Sequence, residues 1–192
     1  MGKRGLPPTA EAKGHLLDTL VEHGMVTDDL FQKWSKKLKD QQWKEELMKK
    51  AHRGDPTSMA LVADCYYTGS KGFKRNPAMA FAWFQRAHAA GNVWGTVNMG
   101  YMLATGKGVG VPNESEGMMY IGLAAGQGND TAAKLLGAAY ADGLHGFPVN
   151  KEKARYWLQK SISGECPIKS MTSDGKLDAQ EQLDSLQGLQ HI

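Results

Sequence analysis

The sequence has few cysteines, little excess of either charge and no long apolar run. Its two cysteines, Cys65 and Cys166, lie about a hundred residues apart and fit neither a CxxC pair nor a Cys/His zinc motif. This spacing does not indicate a disulfide framework and favours a reducing compartment. The 23 basic and 20 acidic residues are nearly balanced, so charge gives no reason to expect nucleic acid or an anionic membrane as a partner.

Targeting and membrane signals are also missing from the sequence. No stretch approaches the roughly 20 apolar residues that a membrane-spanning helix requires. The first segment, MGKRGLPPTAEAKG, has basic residues but no apolar core behind them, and Leu6 stands where the myristoylation motif needs Ser or Thr. We expect a soluble, intracellular protein in a reducing compartment, with the cytoplasm favoured, or an organelle if a targeting peptide has been removed.

Glycine, by contrast, is abundant, and the segment ATGKGVGVPNE at 104–114 raises the question of a phosphate-binding loop. Such loops place backbone amides at the start of a helix, with Lys, Ser or Thr at fixed offsets. This segment contains neither GxxxxGKS/T nor GxGxxG. Its alternating glycines, followed by Pro112 and Asn113, are typical of a turn, which we favour over a phosphate site.

A repeat with a period of 37 residues explains these glycines. Five kinds of position recur three times each: a glycine, two small residues, an asparagine and an aromatic residue. They are Gly69, Gly106 and Gly143; Ala63, Gly100 and Gly137; Ala80, Gly117 and Ala154; Asn76, Asn113 and Asn150; and Trp83, Tyr120 and Trp157. A fixed period of this size indicates an array of stacked units, and the glycine-rich segment is the middle copy of a connector.

Each unit predicts two short helices. In the first unit, the first helix has an amphipathic stripe spaced i, i+3, i+4, i+7 at Met59, Val62, Ala63 and Tyr66. The recurring glycine ends that helix, because a positive φ causes glycine no steric strain. The recurring asparagine is the expected N-cap of the second helix, with Pro77 at N1 in one copy and Glu116 at N3 in another. Helices of about 13 residues are marginal alone in water, so the units must stack.

The recurring small residues mark points where helix backbones are expected to approach closely, since a large side chain there would force them apart. The recurring aromatic residues are expected to fill the space within and between units. We favour core packing over a ligand cage for these aromatics.

These features together resemble the Sel1-like repeat family, which is related to the tetratricopeptide repeats. The shared features are AxxYxxG in the first helix, a GxGV-like connector, then a small residue, an aromatic and a closing Ala-Ala-x-Gly. The resemblance covers residues 55–164, and the middle copy, NMGYMLATGKGVGVPNESEGMMY, comes nearest to the pattern although Leu103 replaces the usual tyrosine. It implies an all-α fold, an α-solenoid in which antiparallel helix pairs form a right-handed superhelix.

The resemblance and its flanks divide the chain into five parts. They are an N-terminal helical cap with a degenerate repeat at 1–54, Sel1-like repeats at 55–91, 92–128 and 129–164, and a loop with a C-terminal capping helix at 165–192. In the N-terminal cap, one helix is expected to end at Gly24. A helical pair should follow, with Thr27 as its N-cap, a Val26 to Phe31 staple, and ELMKKAHRG in its second helix. The last, polar helix is expected at 176–187. Such atypical ends cover the apolar faces that a solenoid leaves exposed.

The resemblance also implies a concave face lined by the first helices. The groove positions that the tetratricopeptide pattern assigns are Thr57, Ala60, Asp64, Tyr67, Thr68, Trp94, Val97, Asn98, Tyr101, Thr105, Thr131, Lys134, Ala138 and Asp142. The candidate partner-binding residues among them are Asp64, Tyr67, Trp94, Asn98, Tyr101, Thr105, Lys134 and Asp142. Trp94 and Tyr101 are the most informative, since aromatic residues dominate binding hot spots. Packing against a neighbouring cap helix is the alternative for this pair.

The resemblance implies a non-catalytic protein–protein interaction module, an adaptor or scaffold that binds a peptide, a helix or a protein subunit. The alternative is a permanent accessory subunit of a larger complex. A hydrolase of the kind proposed for cysteine-rich relatives is disfavoured, because the paired cysteines of those relatives are absent. No SxxK, nucleophile elbow or HExxH occurs, and the six histidines share no ligand spacing, although His145 lies in a connector. We therefore expect no catalytic residue, cofactor or metal, and a protein or peptide partner rather than nucleic acid.

Overall fold

The computed structural model describes residues 10–24 and 27–188, and these residues fold into nine α-helices. The helices are α1 (Ala10–Glu22), α2 (Asp28–His52), α3 (Pro56–Thr68), α4 (Pro77–Ala89), α5 (Val93–Thr105), α6 (Glu114–Gly126), α7 (Asp130–Asp142), α8 (Lys151–Ile162) and α9 (Ser173–Gly188). Each helix packs against the next along the chain, and α9 also contacts α7. The described residues thus form the all-α stack of helix pairs that the repeat predicts.

Asparagine caps begin the second helix of each repeat, as the period predicts. The side-chain oxygens of Asn76, Asn113 and Asn150 accept hydrogen bonds from the amide three residues later, at 3.1, 3.2 and 2.9 Å. At the opposite end of the connector, glycines 69, 106 and 143 end the first helices with φ of 76°, 74° and 67°. The segment 104–114 is therefore a turn between α5 and α6, with its glycines in left-handed backbone conformations.

The first helices have caps of their own, which none of the sequence expectations included. Asp55, Asn92 and Asn129 precede α3, α5 and α7, and their side chains accept hydrogen bonds from the amide three residues later at 2.6, 2.8 and 2.9 Å. These three positions are also 37 residues apart, so the period already contained this signal.

Close contact between helix backbones explains the small residues. A Cβ atom on Gly100 would lie 2.7 Å from the carbonyl oxygen of Gly117, and one on Gly117 would lie 2.5 Å from the carbonyl oxygen of Gly100. Ala80 and Ala154, which are equivalent to Gly117, are fully buried. The predicted close approach of the two helices in a unit is confirmed.

The recurring aromatic residues pack in the core. Trp83 is buried and meets the ring of His52 edge-on at 5.3 Å between centroids. Tyr120 meets the ring of His88 in the same way at 5.1 Å, and both Tyr120 and Trp157 are half-buried against core clusters. Core packing, rather than a ligand cage, is their observed role.

The N-terminal cap corrects one prediction, because one continuous helix, α2, occupies the region where a helical pair was expected. At the positions equivalent to the glycine and asparagine that interrupt each repeat, α2 has Gln32 and Lys39. Neither Gln nor Lys favours a left-handed backbone or an N-cap position, so the helix continues. Thr27 is the N-cap residue but its side chain makes no capping hydrogen bond. Val26, of the expected staple, lies outside the described residues.

The second half of α2 nevertheless keeps the register of the repeats. Each connector contains a residue with positive φ that lies against one particular position of the preceding unit. In the repeats, this position is the first residue of the second helix. The pairs are Lys71 with Asp40 (Nζ to Oδ1, 3.6 Å), Gly108 with Pro77, and His145 with Glu114 (Nδ1 to Oε2, 3.1 Å). Because positions 40, 77 and 114 are 37 residues apart, α2 joins the stack at Asp40. Residues 28–39 extend beyond it, and we call them the overhang.

At the other end, a segment that we call the strap, residues 165–171, crosses the start of α7. The amide of Asp130 donates to the carbonyl of Ile168 at 3.1 Å, and the amide of Ile168 donates to the carbonyl of Gly128 at 3.2 Å. The buried carboxylate of Asp130 accepts hydrogen bonds from the amides of Ser170 at 2.7 Å and Met171 at 3.0 Å. The strap is thus held by two backbone bonds and the buried side chain of Asp130, and the side chains of Asn129 and Thr131 also hydrogen-bond the hydroxyl of Ser170.

The last helix closes this end of the stack. α9 includes the predicted segment 176–187 but begins earlier, at Ser173. Its Ala179, Leu183 and Leu186 are buried against Ala154 and Leu158 of α8. The last apolar face of the repeats is therefore covered from within the chain.

Candidate functional site

The candidate partner-binding residues lie on α3, α5 and α7, the first helices of the three repeats. Thr105 and Asp142 are exposed, and six are half-buried: Asp64, Tyr67, Trp94, Asn98, Tyr101 and Lys134. Two other groove assignments are wrong, since Ala60 and Val97 are buried. Val97 belongs to an apolar cluster with Ala132 and Leu136 of α7, so it packs between neighbouring units.

Three of these residues are aromatic, and they pack on the same core cluster. Tyr67 of α3 and Trp94 and Tyr101 of α5 pack partly against the core cluster that contains Phe84 and Met102. Part of each side chain stays accessible to solvent. Partly buried aromatic side chains have a fixed position and an accessible edge, which is the arrangement of an anchor for a partner.

A lysine from the connector joins the tyrosines, and it was absent from the predicted set. The Lys107 Nζ donates a hydrogen bond to the Tyr101 hydroxyl at 2.8 Å and lies over its ring at 4.9 Å from the centroid. The interaction with the Tyr101 hydroxyl raises the pKa of Lys107 above its ordinary value, and Tyr67 makes a smaller contribution in the same direction. The groove was predicted on helices alone, so no sequence signal drew attention to a connector residue.

Polar groups on α5 are partly engaged by their own helix. The Asn98 side-chain amide donates to the carbonyl of Trp94 at 2.9 Å, and the Thr105 hydroxyl donates to the carbonyl of Tyr101 at 2.8 Å. These bonds fix the two side chains along the helix, next to the aromatic residues.

The electrostatics of the face differ from one unit to the next. On α3, burial raises the pKa of the half-buried Asp64 carboxyl. On α7, Lys134 forms an ion pair with Asp178 of α9, and the hydrogen bond from Lys134 lowers the pKa of Asp178. Lys134 is therefore engaged by the C-terminal cap, while Asp142 lies exposed at the end of α7.

Other kinds of chemistry would need a set of metal ligands, a reactive thiol or a membrane-spanning helix. Among residues 10–24 and 27–188, no three His, Cys, Asp or Glu side chains are placed to hold a metal ion together. Cys65 and Cys166 are buried free thiols, and burial raises the pKa of each, so little thiolate is present at neutral pH. In the same part of the chain, every helix is too short or too polar to cross a bilayer.

Comparison with known proteins identifies the repeat. The family model described as the Sel1 repeat matches residues 56–92, 96–129 and 131–165. No curated protein sequence matches the chain.

Two solved structures are similar to the chain. One is a Sel1 repeat protein from Oxalobacter formigenes, with a TM-score of 0.68 and 22% identity over 93% of this chain and 62% of that one. The other is c5321, a protective antigen present in uropathogenic Escherichia coli strains that displays an SLR fold. Its TM-score is 0.63, with 22% identity over 94% of this chain and 34% of that one. The chain thus spans less than two thirds of either protein, and the likeness shows the fold.

Proposed function

The chain belongs to the Sel1 repeat family, whose members are generally protein-interaction modules, and from this premise we propose that it is a non-catalytic adaptor or scaffold. A peptide, helix or subunit of a partner binds on the shared face of α3, α5 and α7. The observation that carries the proposal is the group of partly exposed aromatic side chains, Tyr67, Trp94 and Tyr101, on two consecutive first helices.

The physical support for this proposal is the free energy that would be gained by burying the exposed part of these side chains in an interface. Tyr and Trp offer large apolar surfaces with few rotatable bonds, so burying them in an interface loses little conformational entropy. Burial of further apolar area would stabilise a complex by about 25 cal/mol per Å² before the cost of association. Only the buried part of each ring stabilises the chain by itself, so the exposed part is left for a partner.

The polar groups around the aromatics indicate the chemistry of the bound segment. Lys107 stays protonated and suits a carboxylate, whereas Asp64, whose charge burial disfavours, suits a hydrogen-bond donor. We propose a segment with an apolar or aromatic anchor between two such polar groups.

Capture of partners by the full-length chain, followed by mass spectrometry, tests this proposal. Trp94→Ala removes an anchor, and Thr105→Arg places a bulky group on an exposed position of the same face. Gln85→Arg, on the exposed side of α4, is the matched control for the second change. Both variants of this face should lose the same partner while Gln85→Arg keeps it, with helical circular dichroism and cooperative melting retained, although Trp94→Ala should lower the melting temperature because Trp94 packs partly on the core. A partner retained by both variants of this face would place the binding surface elsewhere.

The second candidate function is a permanent subunit of a larger complex. Exposed apolar side chains on the second helices of the repeats favour it. Met119 of α6 and Tyr156 of α8 are equivalent positions in neighbouring units, and they are 60% and 57% exposed. An accessory subunit would bury this apolar pair in the assembly. Size-exclusion chromatography of native extract separates the two candidates, since a subunit elutes in one large species and an adaptor elutes mostly alone.

We also propose a reducing compartment as the site of action. The two cysteines are both free and buried, which fits a protein that does not depend on disulfide bonds. The nearly balanced charge of the chain supports a protein or peptide partner over nucleic acid.

A further inference from the structure

A second surface of the molecule is lined by α2 rather than by the first helices α3, α5 and α7. A cavity of 1110 Å³ runs beside this helix and extends to Gly72 in the first connector. Its lining includes six lysine or arginine side chains and only two acidic ones, Asp40 and Glu45. The basic residues are Lys33, Lys36, Lys37, Lys44, Lys49 and Arg53, and we call this surface the basic groove.

Contacts within the chain engage only the part of the basic groove next to the first connector. Asp40 pairs with Lys71 of that connector at 3.6 Å. The Lys44 Nζ donates to the carbonyl of Gly72 at 2.9 Å and lies 4.5 Å from the centre of the Phe73 ring. The other five basic residues of the groove are exposed. Because Asp40 is already paired, Glu45 is the one acidic side chain left in the lining to balance them.

Apolar surface adjoins the basic residues. A smaller cavity of 350 Å³ shares Lys37 and Gln41 with the basic groove and is lined by Trp34 and Leu38. Trp34 is 43% exposed, which is a large apolar surface to leave in water. Met48 adds a half-buried apolar residue farther along the same helix. The two cavities therefore form one elongated surface with an apolar strip and a basic border.

We propose that the basic groove docks an acidic, amphipathic α-helix of a partner protein. The apolar side of such a helix would cover Trp34, Leu38 and Met48, and its carboxylates would meet the lysines along the border. α2 is 25 residues long, so a second helix can lie beside it over several turns. Nucleic acid fits less well, because Leu38 and Met48 offer its bases no ring to stack on and its phosphates would meet Glu45.

Two segments of this chain suit the groove less well than a partner helix does. α9 carries Asp174, Asp178, Glu181 and Asp184, but it packs on α8 at the opposite end of the stack. The nine residues before α1 contain Lys3 and Arg4 and no acidic residue, so they lack the required charge. A partner protein is the occupant that the charge distribution favours.

Binding of a designed peptide to the full-length chain tests this inference. The probe is a fluorescein-labelled peptide of about 20 residues, a length that allows helix formation, with leucines on one helical face and glutamates on the others. A scrambled peptide of the same composition has the same charge but no apolar face. The variant that changes the basic groove is Lys36→Glu with Lys49→Glu. The control is Lys39→Glu with Lys50→Glu, on the same helix but outside the lining of the cavity.

The control matches the groove variant in net charge and in having one substitution in the last turn of α2. We expect the amphipathic peptide to bind the wild type and to bind the groove variant at least about tenfold more weakly, a loss typical of reversed charges at an interface. The control pair should change the affinity less than about twofold, and added salt should weaken binding. Trp34→Ala should weaken it too, and Trp94→Ala should leave it intact, which separates this site from the proposed function.

Four results would overturn the inference. They are equal binding of the scrambled peptide, an equal loss in the control variant, tighter binding of a single-stranded RNA of the same charge at the same lysines, and self-association of the chain that Lys36→Glu with Lys49→Glu abolishes. The last would assign the groove to α9 of a second copy. Unchanged melting temperatures of both double variants exclude misfolding as the cause of a loss.

Discussion

The two ends of the stack differ in how completely their apolar faces are covered. A solenoid has no next unit at its ends, so its terminal apolar faces must be covered or left in water. At the C-terminal end, the strap and α9 cover them with Leu183 and Leu186. At the N-terminal end, the overhang leaves Leu30 and Trp34 41% and 43% exposed beside the basic groove. The C-terminal end is thus closed by buried side chains, whereas at the N-terminal end α1 packs on α2 and apolar side chains of α2 still remain exposed.

Matched leucine truncations should give the largest difference between the ends. Leu183→Ala removes a side chain that is only 3% exposed, and buried truncations of this kind cost about 2–5 kcal/mol. Leu30→Ala removes one that is 41% exposed, and surface changes usually stay within about 0.5 kcal/mol. Chemical denaturation of both variants measures the free energy of unfolding. Equal losses would break the comparison, because both ends would then be packed alike.

Removal of the side chain that holds the strap should have the next largest effect. Asp130→Ala leaves the amides of Ser170 and Met171 without their acceptor, and hydrogen bonds to charged groups contribute about 1.5–3 kcal/mol each. The strap should open and expose the thiol of Cys166, which is fully buried in the native fold. Reaction of Cys166 with a thiol reagent should then be faster than in the wild type. Asp142→Ala, an exposed acidic residue at the other end of α7, is the control and should react as slowly as the wild type. No change in Asp130→Ala would show that the strap is held by other contacts.

Removal of N-cap side chains should destabilise the protein by different amounts at the two ends and in the middle of the stack. Asn92→Ala loses one capping bond and should cost about 1 kcal/mol. Asn129→Ala should cost more, because its side-chain amide also donates to the hydroxyl of Ser170 at 2.9 Å. Thr27→Ala should cost almost nothing, since that side chain makes no capping bond. Thermal unfolding of the three variants gives the order, and a cost at Thr27 as large as at Asn92 would contradict it.

The smallest effect should come from pH. The hydrogen bond from Lys134 lowers the pKa of Asp178, so this carboxylate stabilises the docked α9 while it is ionised. That contribution is present above the ordinary carboxyl pKa of about 3.9 and is lost as pH falls through the lower pKa of the folded state. Because Asp178 is half exposed, water screens the pair and the loss should be slight. Melting temperatures of the wild type and Asp178→Asn should therefore converge at acidic pH. A gap that widens as pH falls would contradict the assignment.

The repeat units could be predicted because their determinants are local. The glycines at 69, 106 and 143 and the asparagines at 76, 113 and 150 act through backbone geometry within a few residues, and period 37 aligns them. The continuous α2 follows from the same chemistry, since Gln32 and Lys39 replace the interrupting residues. The repeat pattern alone suggested a hairpin there, because the apolar spacing of the second helix was retained while the stop signals were lost.

Contacts between distant residues could not be predicted in the same way. The strap joins Asp130 to Ser170 across 40 residues, and no short motif encodes such a bond. Lys134 was assigned to the open face, but its partner Asp178 comes from a helix outside the repeats. Val97 fits a groove position by register alone, yet the next unit packs against it. The accessible surface of the candidate site thus depends on neighbours that the period does not specify.

Amide hydrogen exchange of the full-length chain, followed by mass spectrometry, tests most directly whether one end of the stack is sealed and the other open. Exchange reports local opening, so buried and bonded segments exchange slowly, and a helix end that packs only against one other helix, as the overhang does against α1, exchanges faster. We expect the strap, residues 165–171, to exchange nearly as slowly as the start of α7, and the overhang, residues 28–39, to exchange much faster than residues 40–52. A strap that exchanges as fast as the overhang, or an overhang protected like α8, would contradict the account.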